Sequence, residues 1–207
     1  MIIPTGKVVL LTGAPATGKS TLASYVQDHI QPVRCFDYGE LLLRRLQRST
    51  NSRLSYRRMR KLSADLISHR DVESLDNRLI LEIRRFRSNY NIIIDSHAVT
   101  SESFGFRVTP FSLAQLGRLN LDAVIALHCD PRMLAGRVKA SPEGRRRVTT
   151  EQARHHQFLQ QAVATTYAIS CGCPLFILEN TDRTVKEAGK AFIDLLRRIG
   201  ARFELLT

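Results

Sequence analysis

The sequence predicts an α/β fold in which helices cover both faces of a parallel sheet. Short apolar runs occur as KVVLLT at 7–12, NIIID at 91–95 and AVIALHC at 123–129. Their continuous hydrophobic character is typical of strands that are buried on both faces. Segments with the helical repeat of apolar residues alternate with these runs, as in a doubly covered sheet. Because ligands of such sheets bind where the strands end, the functional residues are expected just after the strands.

Helices are predicted from the apolar repeat and from their end signals. Asp71 is expected to cap a helix whose apolar stripe continues to Phe86, and Thr149 with Gln152 has the spacing of a capping box. The segment 140–148 is polar, basic and interrupted by Pro and Gly, which predicts a loop. The other predicted helices cover 19–30, 40–47, 55–70, 131–139, 149–169 and 184–199, and shorter strands cover 33–36 and 174–179.

Length and composition limit the class of protein. The chain has 207 residues, of which 43% are hydrophobic, so a single domain over 1–207 is expected. No apolar run approaches the roughly 18 residues of a membrane span, and the N-terminus lacks the basic region of a signal peptide. The four cysteines have no metal-ligand spacing and are expected to be reduced thiols. These features predict a cytoplasmic protein without a membrane partner.

The net charge of +12 indicates phosphate-bearing ligands. Such a surface attracts phosphates that range from single nucleotides to RNA. Arginines are spread well beyond any one motif, for example over 53–60 and 84–87. An RNA contact is therefore retained as a hypothesis, and a homo-oligomer is left open.

A complete phosphate-binding motif follows the first strand. Residues 13–20 read GAPATGKS and match the pattern GxxxxGK[ST] between an apolar strand and an amphipathic helix. Backbone N–H groups and the helix N-terminus favour phosphate oxygens, Lys19 is expected to reach the β and γ phosphates, and the Ser20 hydroxyl to ligate Mg²⁺. The predicted ATP-binding residues of this segment are Gly13, Ala14, Pro15, Ala16, Thr17, Gly18, Lys19, Ser20 and Thr21.

Asp95 ends the apolar run at 91–95, where P-loop proteins carry an acidic metal-binding residue. With Ser20 it is the predicted Mg²⁺ site, and Asp95 is expected to hold the ion through water.

Several ordered motifs resemble those of the archaeal-type adenylate kinases. The segment DYGELL at 37–42 is similar to N-Y-G-D-x-M/L of that family, MRKLS at 59–63 to its M-R-K-L-S, and IDSHAV at 94–99 to its I-D-T-H-A-V. The resemblance extends from about Lys7 to Arg198. More distantly, the chain resembles the adenylate-kinase-like ATPases of ribosome assembly.

The resemblance implies a P-loop NTPase fold with three α/β/α layers and a five-stranded parallel sheet. It also implies a helical insertion near 37–70 that binds the monophosphate nucleotide, and a short lid near 140–148. The residues implied to contact nucleotide are Tyr38, Gly39, Glu40 and Arg60, with His97 orienting water or phosphate as in the ATPase relatives. Those implied to act in catalysis beside Lys19 and Asp95 are Arg137, Arg145, Arg146 and Arg147.

The chain departs from the family pattern at two positions. Ser101 stands where the family has an arginine, about six residues after the strand-end aspartate, and Arg107 is a candidate substitute. The helix after the lid has QQAV at 160–163 where the family tends to carry another arginine. Both positions concern the acceptor and the transferring phosphate.

Three functions fit these observations. The first is transfer of the ATP γ-phosphoryl group to AMP with Mg²⁺, which gives two ADP. The second keeps the kinase chemistry with another nucleoside monophosphate or a polynucleotide 5′ end as the acceptor. The third is an RNA- or ribosome-associated ATPase switch, which the positive charge and His97 favour.

Overall fold

A computed structural model describes residues 6–50, 53–62, 66–140, 146–181 and 183–206, without the side chains of Thr50, Arg60 and Lys61. Its centre is a parallel sheet of five strands in the order β3-β4-β1-β7-β8. The aspartates that end β3 and β4 are register partners, Asp37 with Asp95. The predicted α/β class is confirmed. The sheet strands are β1 (Val8–Gly13), β3 (Val33–Asp37), β4 (Asn91–Asp95), β7 (Ala123–His128) and β8 (Leu175–Glu179).

Helices cover the sheet on both sides. The described helices are α1 (Lys19–His29), α2 (Tyr38–Thr50), α3 (Tyr56–Lys61), α4 (His69–Phe86), α5 (Leu113–Leu119), α6 (Pro131–Ala140), α7 (Thr150–Cys171) and α8 (Val185–Arg198). On one face α1 and α8 pack on alternate strand residues such as Val9 and Leu11. On the other face α4, α5 and α7 pack on Val8 and Leu10. This alternation explains why the strands read as continuous apolar runs.

The helix predicted over 55–70 is confirmed over Tyr56–Lys61 and from His69 onward, but it is not continuous, because Ile67 and Ser68 before α4 are not helical. The expected N-cap of the second helix is wrong. Ser68 is the N-cap and accepts a hydrogen bond from the backbone N–H of Asp71, whose carboxylate accepts one from the N–H of Ser68. Asp71 is therefore the third residue of a capping box. The capping box of Thr149 and Gln152 is confirmed.

Two structural features were missed. A hairpin of β5 (Val99–Glu102) and β6 (Gly105–Val108) follows β4, and β2 (Ile30–Gln31) pairs with β9 (Glu204–Leu205). The hairpin pairs Thr100 with Arg107.

The helical segment near 37–70 packs around an apolar cluster of its own, formed by Leu42, Leu46, Leu54, Met59 and Leu75. Of the loop predicted at 140–148, residues 141–145 lie outside the described part of the chain. Within the described residues, no helix is both long and apolar enough to cross a membrane.

Candidate nucleotide-binding site

The phosphate-binding loop lies between β1 and α1 and is fixed by backbone geometry. Gly18 has a φ of 102°, a conformation that side-chain-bearing residues rarely adopt. A Cβ at Gly18 would lie 2.7 Å from Nδ2 of Asn180. That amide donates a hydrogen bond of 2.8 Å to the carbonyl of Thr17. A residue at the end of β8 thus holds the loop, and glycine is required at the contact.

Lys19 is buried at the start of α1, with 7% of its surface exposed. Its ammonium group donates to the carbonyl oxygen of Gly13 at 3.0 Å and lies 3.5 Å from that of Ala14. An ammonium group has three donor hydrogens, so Lys19 can keep its place over the loop and still bind phosphate oxygens.

The two residues predicted to hold Mg²⁺ are in direct contact. The Ser20 hydroxyl donates to the carboxylate of Asp95 over 2.8 Å, although 75 residues separate them in sequence. Hydroxyl and carboxylate oxygens are the hard ligands that Mg²⁺ prefers, so this pair fits the ion. The contact follows from the sheet order, because β4 is the neighbour of β1.

A cleft of about 1130 Å³ opens at the carboxyl ends of the strands. It contains most of the nucleotide-binding residues that the sequence predicted. Those lining it are Pro15, Ala16, Gly18, Lys19, Ser20, Thr21, Tyr38, Gly39, Asp95 and His97. Gly13, Ala14 and Thr17 are buried beneath this surface and do not line it, and Glu40 is exposed and bonded to Arg44.

The predicted catalytic arginines differ in position. Arg137 lines the cleft with its guanidinium near the carbonyls of Asn180 and Thr181, at 3.4 and 3.3 Å. Arg146 also lines the cleft, whereas Arg147 is exposed and does not. Arg145 lies outside the described residues, as does the side chain of Arg60.

Arg107 occupies the region in which the sequence analysis noted a missing arginine. The β5–β6 hairpin places Arg107 opposite Thr100, next to Ser101, and both Arg107 and Ser101 line the cleft. The guanidinium lies 3.5 Å from the buried carboxylate of Glu102. The hairpin thus places a cation beside Ser101, where the family pattern has an arginine.

Tyr38 contacts a buried carboxylate that sequence reasoning missed. Its hydroxyl donates to Oδ1 of Asp76 on α4 over 2.6 Å, and both residues line the cleft. Burial raises the pKa of Asp76 to about 6, against the opposing effect of the Tyr38 hydrogen bond. Burial also raises the pKa of Tyr38, and the Asp76 charge adds to this effect. The pair is therefore a phenol donor and a carboxylate acceptor at neutral pH.

Helix α7 holds the start of the hairpin through two side chains. The Gln160 amide donates to the hydroxyl of Thr12 at 2.7 Å and accepts from the N–H of Val99 at 3.1 Å. One turn earlier, Nε2 of His156 lies 3.0 Å from the carbonyl of Val99. The His156 ring is buried, and burial lowers its pKa. Its position one turn before Gln160, on a face with buried Ala164, is the sequence signal of this burial.

The comparisons with known proteins match this geometry. A family model described as an AAA domain matches residues 12–155, from the end of β1 into α7. The chain belongs to this AAA-domain family. The match includes the phosphate-binding loop, Asp95 and the hairpin, so the family region contains most of the residues that line the cleft.

Archaeal adenylate kinases are relatives over nearly the whole AAA-domain chain. The adenylate kinase of Methanopyrus kandleri is 25% identical over 197 residues, which cover 94% of this chain and 100% of the relative. That of Pyrococcus horikoshii is 27% identical over 195 residues, with 91% and 94% covered. The archaeal adenylate-kinase resemblance is confirmed, and the comparisons support a nucleotide kinase.

Solved structures confirm the predicted P-loop fold with three α/β/α layers. Shikimate kinase from Bacteroides thetaiotaomicron aligns with a TM-score of 0.52 at 16% identity, over 92% of this chain and 98% of the other. A sugar kinase from Janibacter aligns with the same score at 10% identity. At these identities the likeness concerns the fold alone.

Proposed function

We propose that this protein transfers the γ-phosphoryl group of ATP to AMP with Mg²⁺, giving two ADP. The observation that carries the proposal is that one cleft is lined both by the phosphate-binding loop and by Tyr38 and Gly39 of the helical segment. A kinase that transfers a phosphoryl group between two nucleotides needs donor and acceptor phosphates in line within one enclosed space. The similarity to adenylate kinases supports AMP as the acceptor.

The donor side of the cleft, defined as Gly13–Ser20 with Asp95, binds ATP. The N-terminus of α1 and the loop N–H groups attract the phosphates, and Lys19 bonds the β and γ oxygens. Ser20 and Asp95 would hold Mg²⁺, which neutralises charge on the transferring group when it is bound. Because Lys19 and Ser20 are neighbours at the start of α1, the phosphates and the ion are held from one rigid element.

The acceptor side of the cleft, defined as Tyr38, Gly39, Tyr56, Asp76 and Phe111, binds AMP. A Cβ at Gly39 would lie 2.3 Å from the Tyr56 hydroxyl, so the backbone of α2 approaches α3 closely only because residue 39 is glycine. This approach narrows the space above the strand ends to a slot.

Arginines orient the acceptor phosphate and stabilise the charge that spreads during transfer. Arg107 lines the same cleft and would bond the AMP phosphate in exchange for part of its contact with Glu102. Arg137 and Arg146 line the cleft beside the donor loop and are the candidates for cations on the migrating group. Guanidinium suits this task because it stays charged and binds two phosphate oxygens at once.

ADP formation from ATP with and without AMP tests the proposal. We expect ADP to form only when both AMP and Mg²⁺ are present, and the reverse reaction to yield ATP from ADP. Activity with CMP, UMP or GMP in place of AMP would change the acceptor and keep the kinase. Phosphate release that is independent of AMP and stimulated by RNA would replace the kinase with the ATPase switch, which the net charge of +12 and His97 in the cleft favour.

A further inference from the structure

Asp76 is a buried carboxylate whose hydrogen-bonding capacity is not filled by the residues that the structure describes. It is 1% exposed, yet it lines the cleft. Tyr38 bonds Oδ1, and within the part of the chain that the structure describes no other hydrogen bond or ion pair reaches this carboxylate. A carboxylate accepts about four hydrogen bonds, and burying a charge with most of them unmade is costly. A ligand that donates a hydrogen bond would offset that cost.

The carboxylate is held in one position. The Tyr38 ring packs edge-on against Phe111, with centroids 5.7 Å apart and planes at 89°. The backbone N–H of Phe111 donates to the hydroxyl of Tyr167 on α7 at 2.9 Å. This chain of contacts connects Asp76 to two helices and fixes the direction of its acceptor oxygens, which is the condition for selecting one ligand over another.

The surface around Asp76 fits a base better than a phosphate. The cleft there is lined by apolar side chains, and a carboxylate repels a phosphate group while it accepts from an N–H donor. An apolar slot with one fixed polar group is the usual form of a site that binds a flat heterocycle. The apolar lining residues are Leu42, Met59, Ile67, Val72 and Phe111.

We propose that Asp76 selects the acceptor nucleotide by accepting a hydrogen bond from an amino group of its base. This inference rests on the proposed function for the assumption that the acceptor is a nucleotide. A base without the amino group would leave the carboxylate buried and unmatched, and such sites reject analogues that lack the donor.

Calorimetric binding with the donor side filled by a non-hydrolysable ATP analogue tests the inference. The probes are AMP, purine riboside 5′-monophosphate, which has hydrogen in place of the amino group, and 2′-deoxyAMP. We expect the wild type to bind AMP about 10- to 100-fold more tightly than the purine analogue, as for a lost hydrogen bond to a charged group. In Asp76→Leu this ratio should fall to about one, and in Asp76→Asn to an intermediate value.

Glu73→Gln is the matched control, because it removes an exposed carboxylate from the same helix and should leave the ratio unchanged. A wild-type ratio near one overturns the inference, as does a ratio that survives in both Asp76 variants. If the Asp76 variants lose selectivity against 2′-deoxyAMP instead, the carboxylate binds the ribose and the base assignment is wrong. Asp76→Asn is nearly isosteric and decides the question if Asp76→Leu does not fold.

The binding assay separates this inference from the proposed function because it requires no turnover. Selective binding of AMP without phosphorylation would defeat the AMP kinase and leave the role of Asp76 intact. Phosphorylation of AMP by a wild type whose binding ratio is near one would support the AMP kinase and overturn the role of Asp76.

Discussion

The donor side and the acceptor side face the same cleft, but different contacts hold them in place. On the donor side, successive residues of one loop are set by backbone geometry at Gly18 and by a carbonyl contact from Asn180. On the acceptor side, Tyr38 is positioned by a side-chain bond to Asp76, which lies 38 residues further along the chain. The donor side is therefore a local motif, whereas the acceptor side exists only after several helices have packed.

This difference has a consequence for how each side tolerates substitution. The donor loop depends on few side chains. Single changes at its phosphate contacts should therefore abolish its function while the protein stays folded. The acceptor side combines binding and packing in the same residues, so changes there should alter stability as well as affinity. The following substitutions separate these expectations.

The largest effect is expected at Arg146, a cleft-lining candidate for a cation on the transferring phosphoryl group. Arg146→Ala should lower kcat and kcat/KM together by at least about 10²-fold with little change in KM, because arginines that act on a transferring phosphoryl group contribute roughly 10³ to 10⁵. Arg147→Ala is the matched comparison, since Arg147 is adjacent but does not line the cleft. Steady-state kinetics in both reaction directions measure the effect. Equal, small losses in both variants would remove Arg146 from catalysis.

Lys19→Ala should abolish most turnover while the fold and AMP affinity are retained. Loss of one fixed cation from the reacting phosphates typically costs about 10²- to 10³-fold in kcat. The exposed Lys139 on α6 provides the control, and Lys139→Ala should leave kcat unchanged. Circular dichroism and calorimetric AMP binding accompany the kinetics. A folded Lys19→Ala variant with wild-type turnover would contradict the assignment of the donor side.

Gln160 connects the end of β1 to the start of the hairpin, because it bonds Thr12 and Val99. Gln160→Leu leaves both buried groups unmatched and should lower the free energy of unfolding by about 1–3 kcal/mol. The neighbouring Gln161 is only partly buried, and Gln161→Leu should cost within about 0.5 kcal/mol. Urea unfolding of both variants measures the difference. If the two costs are equal, the Gln160 bridge does not stabilise the cleft.

The smallest expected effect is a pH-dependent gain in stability for Asp76→Asn. The folded-state pKa of Asp76, about 6, lies above the unfolded value near 3.9. Between about pH 4 and 6 the folded protein therefore binds more protons at Asp76 than the unfolded chain does. Wild-type stability therefore has a contribution that is lost as the pH rises through this window. The variant should be more stable than the wild type at pH 8, and this advantage should shrink as the pH falls and vanish near pH 4.

Unfolding curves at pH 4, 5, 6 and 8 check this prediction. Asp122→Asn serves as a comparison. Because Asp122 forms ion pairs with Lys7 and Arg87, this variant should be less stable than the wild type at pH 8. A stability difference for Asp76→Asn that does not change with pH would show that this carboxylate does not titrate in the window.

The sequence by itself determined the donor side. The GxxxxGK[ST] motif, the apolar strands and the aspartate at the end of β4 were each read from consecutive residues, whereas the contact of Ser20 with Asp95 depends on β4 lying next to β1 in the sheet. This was possible because strand ends and helix starts depend on local backbone geometry and on short-range patterns.

Only the tertiary structure decided the acceptor side and the role of α7. Asp76 lies on the apolar stripe of α4, four residues after Val72 and three before Leu79, but nothing near it in sequence signals the bond to Tyr38. His156 and Gln160 meet Val99 across 57 and 61 residues, respectively. The β5–β6 hairpin brings Arg107 beside Ser101, where no arginine stands in the sequence. These contacts depend on which faces of distant helices pack together, and the helical spacing that indicates burial does not identify the partner residue.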